Sequence, residues 1–251
     1  MSWIRLAKVL TTAMDVKGAH DTVKGVHDYG KKLKGKDPSK LTWDDVKIFD
    51  TQEIKMAMAA AKKEQALAKS AENAKFIMPD PGSKAQFIKA FKALEKFGLE
   101  SKEYKAAMMA YFAILRKFDT TLDKLQKEVT AVSIDMVDRK GKVKAIKDYA
   151  KFLEKVFLNC AKVPMSDSQM ATFFVLSQDC ARFSAQMPPL EKSYTKIFSH
   201  SRSISGNIAD TKKLNLEWLK HMEKNAFLPA KKPEAKIKLM SKSIKSVKPV
   251  K

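Results

Sequence analysis

Residues 104–136 read "YKAAMMAYFAILRKFDTTLDKLQKEVTAVSIDM" and place an apolar or aromatic side chain at alternating steps of four and three residues. This spacing is typical of a helix with heptad packing. The same phase continues to Cys160 and passes Gly141 without a shift, and Arg139 is the one residue of the series that is neither apolar nor aromatic. We therefore expect one long helix over about residues 102–162. Its first ten heptad residues are predicted to pack in a core or at a dimer seam: Tyr104, Met108, Tyr111, Leu115, Phe118, Leu122, Leu125, Val129, Val132 and Met136.

The remaining sequence also favours helices. The 251 residues include only 8 Gly and 9 Pro, and 45% of the side chains are hydrophobic, which is enough to bury a core. Residues 43–97 are helical in pattern with a break at "MPDPGS", and residues 166–227 begin with "SDSQ", a capping-box sequence. Pro188 and Pro189 predict a kink in this last block. The sequence therefore predicts an all-α fold in which residues 42–227 form a bundle of three long helical blocks.

The N-terminal segment, residues 1–34, has its own amphipathic pattern. Val-Lys-Gly-x-His-Asp occurs at 16–21 and again at 23–28, so that the two copies lie two helical turns apart and extend one apolar stripe. Gly18 and Gly25 weaken the helix, and residues 35–41 are expected to form a linker. We expect this segment to be a surface helix that inserts in a membrane, with packing in the core as the alternative. The residues predicted to insert are Trp3, Ile4, Leu6, Leu10 and Met14.

The charge is strongly basic and consists almost entirely of lysine. There are 49 Lys and Arg, of which five are Arg, against 28 Asp and Glu, for a formal net charge of +21. Residues 228–251, expected to form a flexible tail, hold eight basic residues and one acidic residue. Lysine acts as a point charge that attracts any polyanion, an anionic lipid surface included. The N-terminal lysines expected to meet anionic lipids are Lys8, Lys17, Lys24, Lys31, Lys32, Lys34 and Lys36.

The sequence offers no pattern for metal binding or catalysis. On a helix, His20 and His27 are about 10 Å apart, too far to bind one ion, and no metal or cofactor is expected. No nucleophile elbow, zinc-protease motif or phosphate loop is present, so we expect the chain not to be an enzyme. Cys160 and Cys180 have no ligand spacing and suggest a reducing compartment. No run of about 18 apolar residues is present, and the location predicted is cytoplasmic and peripheral to a membrane.

The layout resembles the Bin/amphiphysin/Rvs (BAR) family, in particular its N-BAR members. The resemblance lies in an amphipathic N-terminal segment followed by three long helical blocks, and in the stretch "FKALEKFGLESKEYKAAMMAYFAILRKFDTTLDKLQKEV", residues 91–129, which is similar to the start of that family's second helix. It implies a long, kinked three-helix antiparallel coiled coil that dimerises into a crescent. It also implies that mid-helix basic residues of the concave face meet anionic head groups: Arg139, Lys140, Lys142, Lys144 and Lys147.

The function predicted from these features is binding to anionic phospholipid membranes, with sensing or generation of curvature, by a homodimer. Two alternatives stay open at this point. One is a basic helical protein that binds or packages nucleic acid, because a charge of +21 attracts DNA equally well. The other is a helical toxin or scaffold subunit that assembles through its heptads.

Overall fold

The computed structural model describes residues 3–12, 15–46 and 51–226, and its regular elements within these ranges are all helical. The prediction of an all-α fold is therefore confirmed. A short 3-10 turn, Pro38–Lys40, lies within the predicted linker. The α-helices are α1 (Trp3–Thr12), α2 (Asp15–Leu33), α3 (Trp43–Val46), α4 (Thr51–Asn73), α5 (Lys84–Phe97), α6 (Lys102–Cys160) and α7 (Asp167–Ala226).

Local sequence chemistry sets the end of α5 and the start of α7. Gly98 has a positive φ of 81° and its N–H donates to the carbonyl of Leu94, which ends α5. At the start of α7, the Ser166 N–H donates to Gln169 Oε1 (2.9 Å) and the Gln169 N–H donates to Ser166 Oγ (3.4 Å). This is the predicted capping box. α6 is continuous through Gly141, and α7 is continuous through both prolines, where the kink stays a prediction.

The chain divides into two compact units. The first unit contains residues 1–77 and 128–204, and the second contains residues 78–127 and 205–251. Each unit therefore takes one part of α6 and one part of α7.

In the second unit, α5 and the first part of α6 share a core with the last part of α7. Tyr111 accepts a hydrogen bond at its hydroxyl from Trp218 Nε1 (2.7 Å), and the Lys212 ammonium lies 2.5 Å from an Asp123 carboxylate oxygen. Because later positions on α6 meet earlier positions on α7, the two helices run antiparallel here.

In the first unit, α1 and α2 lie along α6 and run in the same direction. Lys8 forms an ion pair with Glu128 (2.8 Å), and the centroids of the His27 and Tyr149 rings are 4.2 Å apart. The partners in these two pairs are 120 and 122 residues apart, so the register is nearly constant. α4 packs against both N-terminal helices, and its buried face consists largely of alanines. The N-terminal segment is thus part of the core of this unit.

One close approach fixes how tightly α2 lies on α6. A Cβ atom at Gly30 would be 3.3 Å from side-chain atoms of both Leu153 and Phe152, while Gly18 and Gly25 have open space around them. Any larger residue at position 30 would force these two side chains to give way. Gly30 therefore lets the two helices approach.

Candidate anionic-surface site

The apolar stripe of α1 is covered by protein. Trp3, Ala7 and Leu10 are completely buried, and the Trp3 ring meets the rings of Phe76 (6.4 Å) and His200 (5.5 Å) edge-on. Ile4 and Leu6 are half-buried, and Met14 lies outside the described residues. In this structure the stripe faces protein, because small side chains on α4 let α1 pack closely, and its insertion in a bilayer stays a prediction. Insertion of Trp3 or Leu10 requires α1 to leave this position.

Arg139 is also in the core, and its assignment to a lipid-binding patch needs correction. Its guanidinium is almost fully buried and forms ion pairs with Glu64 and with Asp135, the latter at 2.5 Å. The Tyr194 hydroxyl donates to the same Glu64 carboxylate (2.6 Å). Burial alone would lower the pKa of Arg139, but the two carboxylates outweigh it and raise that pKa. The heptad position of Arg139 was the sequence signal for this location.

The repeated motif of α2 distributes its residue types over different faces of the helix. Val16 and Val23 are buried, whereas Lys17 and Lys24 are exposed. His27 is buried between Tyr149 and Phe152 of α6. The repeat therefore sets an apolar and aromatic contact with α6 on one side and a row of lysines on the other.

Each histidine of the repeat contacts the aspartate that follows it. His20 Nδ1 is 3.0 Å from an Asp21 carboxylate oxygen, and His27 Nδ1 is 3.2 Å from Asp28. The hydrogen bond with His20 is the main cause that holds the pKa of Asp21 below its usual range, and Lys142 of α6 contributes through its charge. The two histidines thus have separate aspartate partners, and no cluster of metal-binding side chains is found among the described residues.

Both α2 and the stretch of α6 aligned with it carry exposed lysines, and lysines of the two helices meet at the end of α2. Lys140 and Lys144 are exposed, Lys147 is half-buried, and Lys142 pairs with Asp138 (2.5 Å). Residues 17–36 and 138–155 together hold twelve lysines and five acidic residues. We call this set the α2–α6 lysine surface; its exposed lysines are Lys17, Lys24, Lys31, Lys32, Lys34, Lys36, Lys140, Lys144, Lys151 and Lys155.

Two members of this surface, Lys151 and Lys155, were not among the predicted site residues. They follow Lys144 by seven and eleven residues on α6, and this spacing keeps them on one outward face. The helical period was visible in the sequence, but their nearness to the end of α2 was not, because that depends on the register between two distant segments.

The predicted heptad residues face inward. Leu125 is half-buried, and the other nine residues of the series from Tyr104 to Met136 are buried. Their apolar side chains are therefore already covered within the chain. Lys8, another predicted lipid contact, is exposed and pairs with Glu128.

The described part of the chain shows no reactive thiol. Cys160 and Cys180 are buried, and burial raises their pKa values to about 11 and about 12. Both thiols are therefore protonated near neutral pH. None of the described helices is long and apolar enough to cross a bilayer.

Comparison with known proteins adds no family assignment. No family model, no curated protein and no solved structure matches this chain. The resemblance to the BAR family therefore stays a prediction.

Proposed function

We propose that this chain is a non-enzymatic protein that binds anionic phospholipid membranes peripherally through the α2–α6 lysine surface. The observation that carries the proposal is the alignment of α2 with α6, which brings exposed lysines of both helices into the same part of the first unit. Exposed lysines act as point charges and suit an anionic surface better than the base edges of DNA, for which arginine is preferred.

The number of lysines is sufficient for reversible binding. Each lysine held near an anionic bilayer contributes about 1 kcal/mol, so about five or six of them give useful affinity at low salt. This contribution weakens as salt screens the charges. Binding should therefore be weak on neutral membranes and should decline with ionic strength.

Curvature sensing or generation belongs to the proposal as a second step. The apolar stripe of α1 is covered in this structure, so the first contact with the membrane must be electrostatic. Insertion of the stripe follows only if α1 separates from α4 and α7. The three-helix crescent and the homodimer stay predictions, and a dimer would have to use residues other than the buried heptad positions.

Vesicle cosedimentation tests the proposal. The full chain is mixed with phosphatidylserine-containing or pure phosphatidylcholine vesicles at several salt concentrations. The test variant reverses three exposed lysines of the α2–α6 lysine surface: Lys17→Glu, Lys24→Glu and Lys144→Glu. The matched control makes the same change of charge on exposed lysines of the second unit: Lys117→Glu, Lys124→Glu and Lys213→Glu.

We expect the wild type to bind the anionic vesicles. The test variant should bind them more than tenfold more weakly than the control variant does, because each lysine near the membrane contributes about 1 kcal/mol. Equal losses in the two variants would mean that only net charge matters, and would reject the lysine surface. Failure of the wild type to bind either kind of vesicle would reject membrane binding altogether.

A further inference from the structure

A pocket of about 740 Å³ lies between the end of α2 and the last turns of α6. Four lysines line it: Lys34 and Lys36 from the α2 end, and Lys151 and Lys155 from α6. Glu154 is the single acidic residue of the lining, so that the lining carries a formal charge of +3. Its size is typical of pockets that bind small molecules, which fall between about 300 and 1,000 Å³.

Within the part of the chain that the structure describes, the four lysines have no carboxylate partner. Among the ion pairs of the described residues, none includes Lys34, Lys36, Lys151 or Lys155. The Lys34 ammonium lies over the Phe152 ring, 5.5 Å from its centroid. The positive charge of the lining is thus available to an anion.

Apart from Glu154 and Asn159, the rest of the lining has no polar side chain other than the Cys160 thiol. Leu33, Leu41 and Val156 are buried, and the Phe152 side chain is half-buried. Gly35, with a positive φ of 91°, turns the chain out of α2 and leaves open space at its own Cα. Cations around an apolar wall are complementary to a ligand that has both a negative group and a hydrocarbon part.

We propose that this pocket binds one anionic phospholipid whose head group is a phosphate monoester. The phosphate meets Lys34, Lys36, Lys151 and Lys155, and the first carbons of an acyl chain lie against Leu41 and Val156. A phosphate monoester carries about −1.5 to −2 charges near pH 7, which balances most of the charge of the lining. The choice of a lipid as the source of the phosphate rests on the proposed function, since the charges alone would also accept free phosphate.

The test uses ligands that stay monomeric in solution, so that it is independent of any vesicle. Dihexanoyl phosphatidic acid, dihexanoyl phosphatidylcholine and glycerol 3-phosphate are titrated into the full chain by isothermal calorimetry. The test variant is Lys151→Ala with Lys155→Ala. The matched control is Lys117→Ala with Lys124→Ala, two exposed lysines of the same helix that lie in the second unit. Thermal unfolding followed by circular dichroism verifies that both variants fold.

We expect dihexanoyl phosphatidic acid to bind, the test variant to lose affinity by about tenfold or more, and the control to stay within about twofold of the wild type. Glycerol 3-phosphate should bind at least about tenfold more weakly than the lipid, because it lacks the hydrocarbon that the apolar wall covers. Equal affinity for glycerol 3-phosphate would identify the pocket as a site for free phosphate and overturn the proposal. Absence of lipid binding, or equal losses in the two variants, would also overturn it.

The outcome of this test is separable from that of the proposed function. Without a pocket, the wild type can still bind anionic vesicles through its many exposed lysines, while dihexanoyl phosphatidic acid gives no binding in the calorimetry. Without membrane binding, the wild type fails on vesicles whatever the calorimetry shows.

Discussion

Glu64 and Arg139 place two opposite charges in the buried part of the first unit. Neither side chain has appreciable contact with solvent, and removing such ions from water costs several kcal/mol each. The loss is offset because the pair is surrounded by further hydrogen bonds, from the Tyr194 hydroxyl to Glu64 and from Arg139 to Asp135. Burial and the charge of Glu64 also raise the pKa of Tyr194, so that its hydroxyl stays a donor.

Breaking this pair on one side should destabilise the fold more than removing both sides. Arg139→Met leaves the Glu64 carboxylate buried without its cation, and we expect a loss of about 3–5 kcal/mol in the free energy of unfolding. The double variant Glu64→Leu with Arg139→Met should recover most of this loss, because no buried charge is left. Urea denaturation followed by circular dichroism measures both. If the double variant is no more stable than Arg139→Met, lost packing and not an unpaired charge is the cause.

At the scale of elements, α1 is held by burial and not by its ends. Its three fully buried residues, Trp3, Ala7 and Leu10, recur at steps of four and three, and an ion pair between Lys8 and Glu128 lies on its exposed face. An exposed ion pair contributes at most about 1 kcal/mol, so the apolar contacts must provide most of the docking energy.

Truncating one side chain of α1 distinguishes a helix that is docked on the protein from one that is free. Trp3→Ala should lower the free energy of unfolding by up to about 3–5 kcal/mol. The loss cannot exceed the free energy that docks α1 on the rest of the unit, because beyond that point the helix would simply detach. Val9→Ala on the same helix removes a side chain that is 41% exposed and should change stability by less than about 0.5 kcal/mol. Chemical denaturation of the two variants without lipid gives the comparison. A free interfacial helix, by contrast, would leave stability unchanged in both.

The elements differ in how far the sequence alone could predict them. The long helix was expected over residues 102–162 and is observed as Lys102–Cys160, because heptad phase, the Gly98 C-cap and the Ser166 capping box are all local signals. The direction of the α1 stripe is not a local signal. The same apolar spacing suits a bilayer or a protein core, and only the contact with α4 decides between them.

The candidate surface was predictable only in part, because some of its features are local in the sequence and others depend on contacts between distant segments. The period of seven that carries Lys17 and Lys24 can be counted in the sequence, and these lysines are exposed. The convergence of Lys34 with Lys151 in one pocket depends on the alignment of α2 with α6, segments about 120 residues apart in the chain. No local pattern records such a register, so the pocket could be found only in the folded chain.

At the scale of the whole molecule, the basic charge comes from separate sources. Residues 228–251, which lie outside the described residues, contribute eight basic groups and one acidic group to the net charge of +21. The α2–α6 lysine surface is a second source, fixed on two helices. Long-range attraction sums over all charges, whereas a defined binding geometry requires charges at fixed positions.

Deleting residues 228–251 should separate these two contributions. The formal net charge falls by seven, from +21 to +14, so affinity for duplex DNA should drop and its dependence on salt should become shallower, because fewer counterions are released. Binding to anionic vesicles should weaken as well, but the preference over neutral vesicles should persist, since the lysines of α2 and α6 remain. Salt titrations with both ligands measure this. A truncated chain that no longer distinguishes anionic from neutral vesicles would place the membrane site in the tail, and the α2–α6 lysine surface would then have no part in binding.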